Sequence, residues 1–213
     1  MEYIEIRKVG MALNNKIISA YEIKDDLRYA ADLLGFWDEN NQIMILEDES
    51  FSDFLFEYLI FEFNKKRVRL LDRFYNDKIN RNNLTSNEIE ILEGYYYSNL
   101  SFFEIYDWDI SKSEVILIDL LDYDNYIRIK DVGLSKSIFE PFLLFARIIP
   151  IGDINILTGT AFPFKIELKN KILNMISMLK LKKNKVLNST DLFILANQLY
   201  KEFGIPFATE EVS

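Results

Sequence analysis

The chain has 213 residues, of which 49% are hydrophobic and 28% charged, a composition typical of a globular protein with a substantial core. It contains no cysteine and no histidine, which excludes disulfides, Cys/His zinc sites, cysteine nucleophiles and Ser-His-Asp triads. The net charge of −9 makes duplex DNA or an anionic membrane a poor partner for the surface as a whole. No cofactor is predicted, although oxygen-only Mg²⁺ or Ca²⁺ sites stay open.

The N-terminal segment "MEYIEIRKVG" has early acids and no long apolar stretch, so no secretory signal is predicted. The most apolar windows, residues 54–63 and 141–152, are short and interrupted by charges. A membrane helix needs roughly 20 apolar residues. We therefore expect a soluble, cytoplasmic protein.

The first hundred residues are predicted to be helical. Apolar residues at helical spacing indicate a helix within residues 15–37, with Gly35 as its C-cap. Residues 40–48 fit either a short strand or the approach to a helix. The segment 51–79 predicts two helices or one helix broken at residues 64–67. Thr85 and Glu88 have the spacing of a capping box, which predicts a helix over about 86–98.

At Ser101 the pattern changes to short runs rich in β-branched and aromatic residues, separated by turn-like segments such as "GLSKS". Five such runs predict a small antiparallel sheet or barrel. Helical spacing returns at 165–186 and 188–207, the latter with Asn188 or Ser189 as N-cap and Gly204 at its end. The prediction is an α+β fold: a helical region (1–100), a β-module (101–163) and C-terminal helices (164–213), packed as one unit.

Several stretches resemble a group of uncharacterised bacterial proteins that carry a helical lead, a small β-module and often a C-terminal zinc-binding SEC-C motif. The similar stretches, which span roughly half the chain, are residues 54–75, 84–108, 115–131, 134–138 and 143–162. The resemblance implies the architecture and no activity. Because the chain has no Cys or His, the zinc motif itself is excluded.

Asp119 lies in the apolar run "ILIDLL", and Asp122 and Asp124 follow within five residues. A metal site is one interpretation. The favoured one is that Asp119 accepts hydrogen bonds in a turn or pairs with Arg147, the only charged residue in "PFLLFARIIP", because a buried carboxylate and a buried guanidinium each need a partner. Asp122 and Asp124 are typical of a turn. The segment lacks the glycine and later glutamate of a calcium loop.

Charges of opposite sign separate along the second half of the chain. Acids dominate residues 102–124, whereas 165–185 is rich in lysine, including Lys180, Lys182, Lys183 and Lys185. These lysines are a candidate interaction surface, yet no aromatic residue interleaves with them, so base stacking is not indicated. Self-association between the acidic and basic segments is an alternative.

Tyr95, Tyr96 and Tyr97 are consecutive and cannot share one helix face, so at least one is expected on the surface. Tyr95 and Tyr96 are taken as candidate contact residues, since tyrosine is favoured in protein interfaces. Packing between helix and sheet is the commoner role of such residues.

The favoured function is a non-catalytic binding or regulatory module with an unknown protein partner. A carboxylate- and Mg²⁺-dependent phosphodiesterase-type enzyme is the alternative, and nucleic-acid binding through the Lys-rich helix is the weakest. Converging acids in a pocket would favour the enzyme. Acids spread over turns would favour the module.

Overall fold

The computed structural model of the chain describes residues 1–46, 49–63, 68–184 and 186–205. Its N-terminal part is helical. The helices are α1 (Tyr3–Ser19), α2 (Lys24–Leu33), α3 (Glu49–Phe61), α4 (Leu70–Asn76), α5 (Lys78–Asn82) and α6 (Ser86–Tyr96). A two-stranded hairpin, β1 (Trp37–Asp38) and β2 (Ile43–Met44), lies between α2 and α3.

Five longer strands follow. They are β3 (Asn99–Asp109), β4 (Glu114–Asp119), β5 (Asp122–Lys130), β6 (Leu143–Ile151) and β7 (Ile154–Phe164). A short helix, α7 (Val132–Ser137), joins β5 to β6. The chain closes with a 3-10 turn (Ile166–Leu168), α8 (Lys169–Lys183) and α9 (Ser189–Phe203).

The α+β class and the five-stranded antiparallel sheet are confirmed, and so are both predicted helix starts. Thr85 with Glu88, and Asn188 with Asp191, form complete capping boxes at α6 and α9. Gly35 adopts a φ of 74° just after α2, a conformation that glycine reaches without steric cost. The interruption predicted at residues 64–67 lies outside the described part of the chain.

Two predictions of secondary structure were wrong. Residues 15–37 do not form one helix, because α1 begins at Tyr3 and the chain breaks at Ala20 before α2. The "GLSKS" segment is not a plain turn but part of α7, which Asp131 caps by accepting a hydrogen bond from the backbone N–H of Leu134 at 2.9 Å. The cap residue lies outside the quoted segment, which is why the segment alone looked like a turn.

The large sheet has the strand order β5-β4-β3-β6-β7, with every neighbouring pair antiparallel. Its edge strands β5 and β7 lie close to each other, and Asn155 Nδ2 of β7 donates to the carbonyl oxygen of Arg128 of β5 at 3.0 Å. The sheet is curved but does not close into a barrel through a β5–β7 ladder.

Each face of this sheet is buried against different material. Helices cover one face, where rings from β3, β6 and β7 pack against α3 and α9; Phe54 of α3 lies 4.2 Å from Phe162 and 4.5 Å from Phe193 between ring centroids. The concave face encloses a smaller core of strand residues, closed by Leu134 of α7 and the neighbouring Ile138. The two faces of the sheet therefore contribute to two separate hydrophobic clusters.

Helix α6 crosses the sheet at Gly94. A Cβ atom at this position would lie 2.4 Å from the carbonyl oxygen of Pro150 and 2.9 Å from Ile149 Cγ2. Only glycine allows this close approach of helix and strand. The approach fixes the end of α6, which carries the tyrosines described below.

No helix among the described residues is long and apolar enough to cross a membrane.

Candidate functional site

Asp119 is a strand-and-turn residue. Its carboxylate is only 4% exposed, and it accepts hydrogen bonds from Ser101 Oγ, from Asn99 Nδ2 at 3.2 Å and from the backbone N–H of Leu121 at 2.9 Å. These donors come from β3 and from the β4–β5 turn, and they offset the cost of burying the carboxylate. The predicted role in a turn is confirmed for Asp119; the side chain of Asp124 lies outside the described part.

Asp109 serves the β3–β4 turn in the same way. It accepts hydrogen bonds from the backbone N–H and the hydroxyl of Ser111 at 2.9 and 2.6 Å, and it pairs with Lys112 at 3.1 Å. The hydrogen bond from Ser111, followed by that with Lys112, lowers the pKa of Asp109 to about 2. Asp107 Oδ1 accepts from the backbone N–H of Trp108 at 2.9 Å.

The predicted ion pair between Asp119 and Arg147 is not formed. Asp119 lies opposite Phe103 in the β3–β4 ladder, on the concave face, whereas Arg147 lies opposite Leu100 on the face that the helices cover. Alternate residues of a strand point to opposite faces, so the sheet separates the two side chains. The ionic partners of Arg147 come from α3 and the residues that follow it.

Arg147 is the centre of a buried ion network. Its Nε lies 3.2 Å from Glu57 Oε1, its Nη2 pairs with Glu62, and its Nη1 donates to Ser98 Oγ at 3.2 Å. The side chain is only 3% exposed, and its guanidinium lies 4.4 Å from the centre of the Phe61 ring. Two carboxylates therefore share one buried cation.

A β-bulge completes the network from the opposite strand. In the β6–β7 ladder Ala146 pairs with Ala161 and Ile148 with Leu157, so the three residues 158–160 face Arg147 alone. Thr158 Oγ1 donates to Glu57 Oε2 at 2.7 Å, and Thr160 also hydrogen-bonds this carboxylate. Bulges of this kind re-aim side chains; here the bulge brings both hydroxyls to Glu57.

Glu57 is fully buried, and burial raises its pKa above the ordinary value, against the opposing effects of Arg147 and the threonine hydroxyls. The carboxyl group of Glu57 therefore stays protonated in the folded state at pH values at which it is ionised in the unfolded chain. The resulting stabilisation is present below about pH 4.5 and is lost as the pH rises through the folded pKa.

We expect the wild type to lose stability relative to Glu57→Gln as the pH rises above 4.5, by about 1.4 kcal/mol for each pH unit inside the titration window. Glutamine keeps an acceptor for Arg147 and does not titrate. Urea unfolding of both proteins at pH 5 and pH 8 measures the difference. A difference that is constant, or that moves the other way, would contradict the raised pKa.

The network has the features of a structural connection between α3 and the sheet. Its charges face one another under the helices, and no group of three His, Cys, Asp or Glu residues among those described is arranged to hold a metal ion. The acids of the β-module are instead distributed over separate turns.

A cluster of three tyrosines, two of them exposed, lies at the end of α6. We call Tyr75, Tyr96 and Tyr97 the tyrosine cluster. The rings of Tyr75 and Tyr96 stack with their centroids 4.7 Å apart at an angle of 24°, and Tyr97 meets Tyr96 edge-on at 5.4 Å. Tyr96 is 41% and Tyr97 71% exposed. The guanidinium of Arg81 lies over Tyr75 at 4.7 Å.

Cations outnumber acids in the segment that carries Tyr75. Residues 68–81 contain four Lys and Arg residues against two Asp, in a chain whose net charge is −9. Asp72 is paired with Arg69 at 2.8 Å, and Asp77 caps α5 through the backbone N–H groups of Ile79 and Asn80. The two acids are thus engaged locally, and the segment 68–81 carries a net positive charge.

The remaining candidate residues are divided between core and surface. Tyr95 is buried, donates its hydroxyl to the carbonyl oxygen of Gly10 at 3.2 Å and packs edge-on against Phe61; burial raises its pKa. It is a core residue rather than a contact residue.

Several lysines of the Lys-rich helix form contacts within the chain. Lys169 pairs with Glu104, Lys183 pairs with Asp191, and the Lys171 ammonium lies 3.4 Å from the centre of the Phe203 ring. Lys180 and Lys182 are exposed, and Lys185 lies outside the described part. These contacts weaken the interpretation of this helix as a phosphate-binding surface.

Sequence reasoning missed Glu57, Glu62 and Tyr75. The two glutamates are the only charges in the apolar run "FLFEYLIFEF", the same signal that singled out Arg147, so a search for matching lone charges would have found them. Tyr75 has no such signal, because its stacking on Tyr96 depends on how α4 packs against α6.

Fold and sites together define an α+β protein with a buried ion network and a partly exposed tyrosine cluster. The chain belongs to a family described as "Family of unknown function (DUF7986)", whose model matches residues 1–210. No curated protein and no solved structure matches the chain. The relation to SEC-C-associated proteins stays a prediction.

Proposed function

We propose that the protein is a non-catalytic binding module that recognises an acidic segment of a partner protein through the tyrosine cluster. The observation that carries this proposal is the tyrosine cluster, in which Tyr96 and Tyr97 are exposed and Tyr75, partly buried against the core, stacks on Tyr96 beneath Arg81. Tyrosine and arginine dominate the binding energy of protein interfaces.

The cluster is already ordered before a partner arrives. Each ring is held by a neighbouring ring or by Arg81, so little side-chain entropy remains to be lost on binding. Tyr97, the most exposed of the three, presents both an apolar ring and a hydroxyl. Such a residue is suited to the centre of an interface.

Charge determines the kind of partner. Arg73, Lys78 and Arg81 form no ion pair with any described residue, and complementary charge both steers and orients association. An acidic segment supplies the missing partners. The acidic β-module of a second copy is one alternative source of such charge.

Ring geometry favours a protein over a single-stranded nucleic acid. Bases stack on free aromatic faces, whereas Tyr75 is covered by Arg81 and by Tyr96, and Tyr96 by Tyr75 and the edge of Tyr97. The cluster therefore offers one largely open ring, that of Tyr97 at 71% exposure, and hydroxyl groups rather than a continuous stacking platform. These groups suit the backbone and side chains of a peptide.

Site-specific photo-cross-linking tests the proposal. With a photoreactive phenylalanine analogue at position 97, we expect a discrete protein adduct in cells that is unchanged by nuclease and reduced by Arg81→Glu. The same analogue at position 126 is the control, because Tyr126 is comparably exposed (58%) on β5. Equal adducts at both positions, or a nuclease-sensitive adduct at 97, would contradict a protein partner at this surface.

A further inference from the structure

Helix α2 presents two apolar side chains to solvent among acidic ones. Tyr29 is 53% and Leu33 42% exposed, although the opposite side of the helix is buried against the core. The two residues are four apart and share one helix face. Asp25, Asp26 and Asp32 are each three or four residues from Tyr29, so they lie around it on the same face. We call these five residues the α2 surface.

The aspartates of the α2 surface pair with no cation that the structure describes. Arg28, the neighbouring cation on α2, is engaged in an ion pair of its own at 3.4 Å. The helix dipole favours Asp25 and Asp26 in the first turn but disfavours Asp32 in the last. Residues 22–39 carry six Asp and Glu against two Lys and Arg. The α2 surface is therefore negative, and the position of Asp32 is unfavourable for its own helix.

The second half of α8 presents a surface of the opposite charge. Met178 is 68% and Leu181 80% exposed, three residues apart on the side opposite the buried Ile176. Lys180 and Lys182 are exposed on either side of Leu181 and form no ion pair with a described residue. Helix α8 contains no acid. We call Met178, Lys180, Leu181 and Lys182 the α8 surface.

We propose that the protein self-associates, with the α2 surface of one copy packed against the α8 surface of another. The apolar pairs span about 6 Å on α2 and about 4.5 Å on α8 along the helix axes, so they are of similar length and can interdigitate as the ridges and grooves of two packed helices. The lysines that border one pair then face the aspartates that border the other, which orients the contact.

Charge and exposure together indicate a second copy as the occupant. The chain carries both surfaces, so each molecule in solution offers the complement of the other. The acids of the β-module match the lysines less well, because they are engaged in their own turns. One helix pair buries less area than a standard interface, and its ion pairs are screened by salt. The association is therefore weak, concentration-dependent and sensitive to salt.

Sedimentation velocity of the full chain over a range of concentrations tests the proposal. We expect the average sedimentation coefficient to rise with concentration at low salt and to return toward the monomer value in about 0.5 M NaCl. Leu181→Asp is expected to weaken association about tenfold or more. Ile110→Asp is the control, because Ile110 is 53% exposed in the β3–β4 turn. A monomer at every concentration, or equal effects of the two variants, would overturn the proposal.

A charge exchange assigns the two halves of the contact. Asp32→Lys and Lys182→Asp lie at exposed positions, and each is expected to self-associate less than the wild type while keeping its circular dichroism spectrum. An equimolar mixture of the two variants is expected to associate more than either alone, since it joins an unchanged α2 surface to an unchanged α8 surface. A mixture that associates no more than its components would place the contact elsewhere and contradict the pairing of α2 with α8.

Discussion

Replacing Arg147 by methionine is expected to destabilise the protein by about 3–5 kcal/mol, because it leaves Glu57 and Glu62 buried without their cation. Methionine fills much of the same volume, so the loss of stability would result from the missing charge and not from a cavity. Urea unfolding at pH 8 measures the effect. Lowering the pH is expected to reduce it, since Glu57, whose pKa burial raises, needs no cation once it is protonated.

The matched control is Arg128→Met on β5. Arg128 pairs with Glu114 at 3.6 Å, but its side chain is 67% exposed, and exposed ion pairs contribute about 0–1 kcal/mol. We expect the control to remain within about 0.5 kcal/mol of the wild type. Similar losses in both variants would contradict the assignment of Arg147 as the centre of a buried network.

Replacing Phe54 by alanine is expected to destabilise the whole chain by about 3–5 kcal/mol. Phe54 belongs to α3 and contacts Phe162 of β7 and Phe193 of α9, so its cavity lies where all three parts of the chain meet. We propose that these parts unfold together. Circular dichroism and tryptophan fluorescence are then expected to report one transition, shifted equally by the variant.

Phe139→Ala is the control, because Phe139 is 92% exposed and its loss is expected to cost less than about 0.5 kcal/mol. Two separate transitions, with only the helical signal shifted by Phe54→Ala, would show that the helical region and the β-module fold independently.

Elements that depend on local chemistry were predictable from the sequence. The capping boxes at Thr85 and Asn188 and the glycine after α2 each act within a few residues, so their signal is contained in the pattern. The five strands were equally clear from their β-branched runs. The break after α1 was missed, because apolar spacing continues across it from Ile18 to Leu27.

The pairing of buried charges was not predictable in the same way. The apolar runs showed that Asp119 and Arg147 each need a partner, and both have one. Which partner each has depends on the face of the sheet to which it points and on the element that covers that face. Successive side chains of a strand point to opposite faces of the sheet. An error of one residue in the predicted strand register therefore places every side chain on the wrong face.

The tyrosine cluster illustrates a further limit. Consecutive tyrosines at 95–97 implied that at least one is exposed, and Tyr97 is. Tyr75 and Arg81 join the cluster only through the packing of α4 against α6 and of α5 against α4. The spacing of residues within one helix cannot predict a contact between two helices.

The most direct test of the binding proposal is the dissociation constant of the partner captured at position 97, measured for the wild type, Tyr97→Ala and Tyr126→Ala. A central tyrosine contributes 2 kcal/mol or more, so we expect Tyr97→Ala to weaken binding by about thirtyfold or more and Tyr126→Ala to leave it unchanged. Equal affinity of Tyr97→Ala and the wild type would contradict the assignment of the tyrosine cluster as the recognition surface.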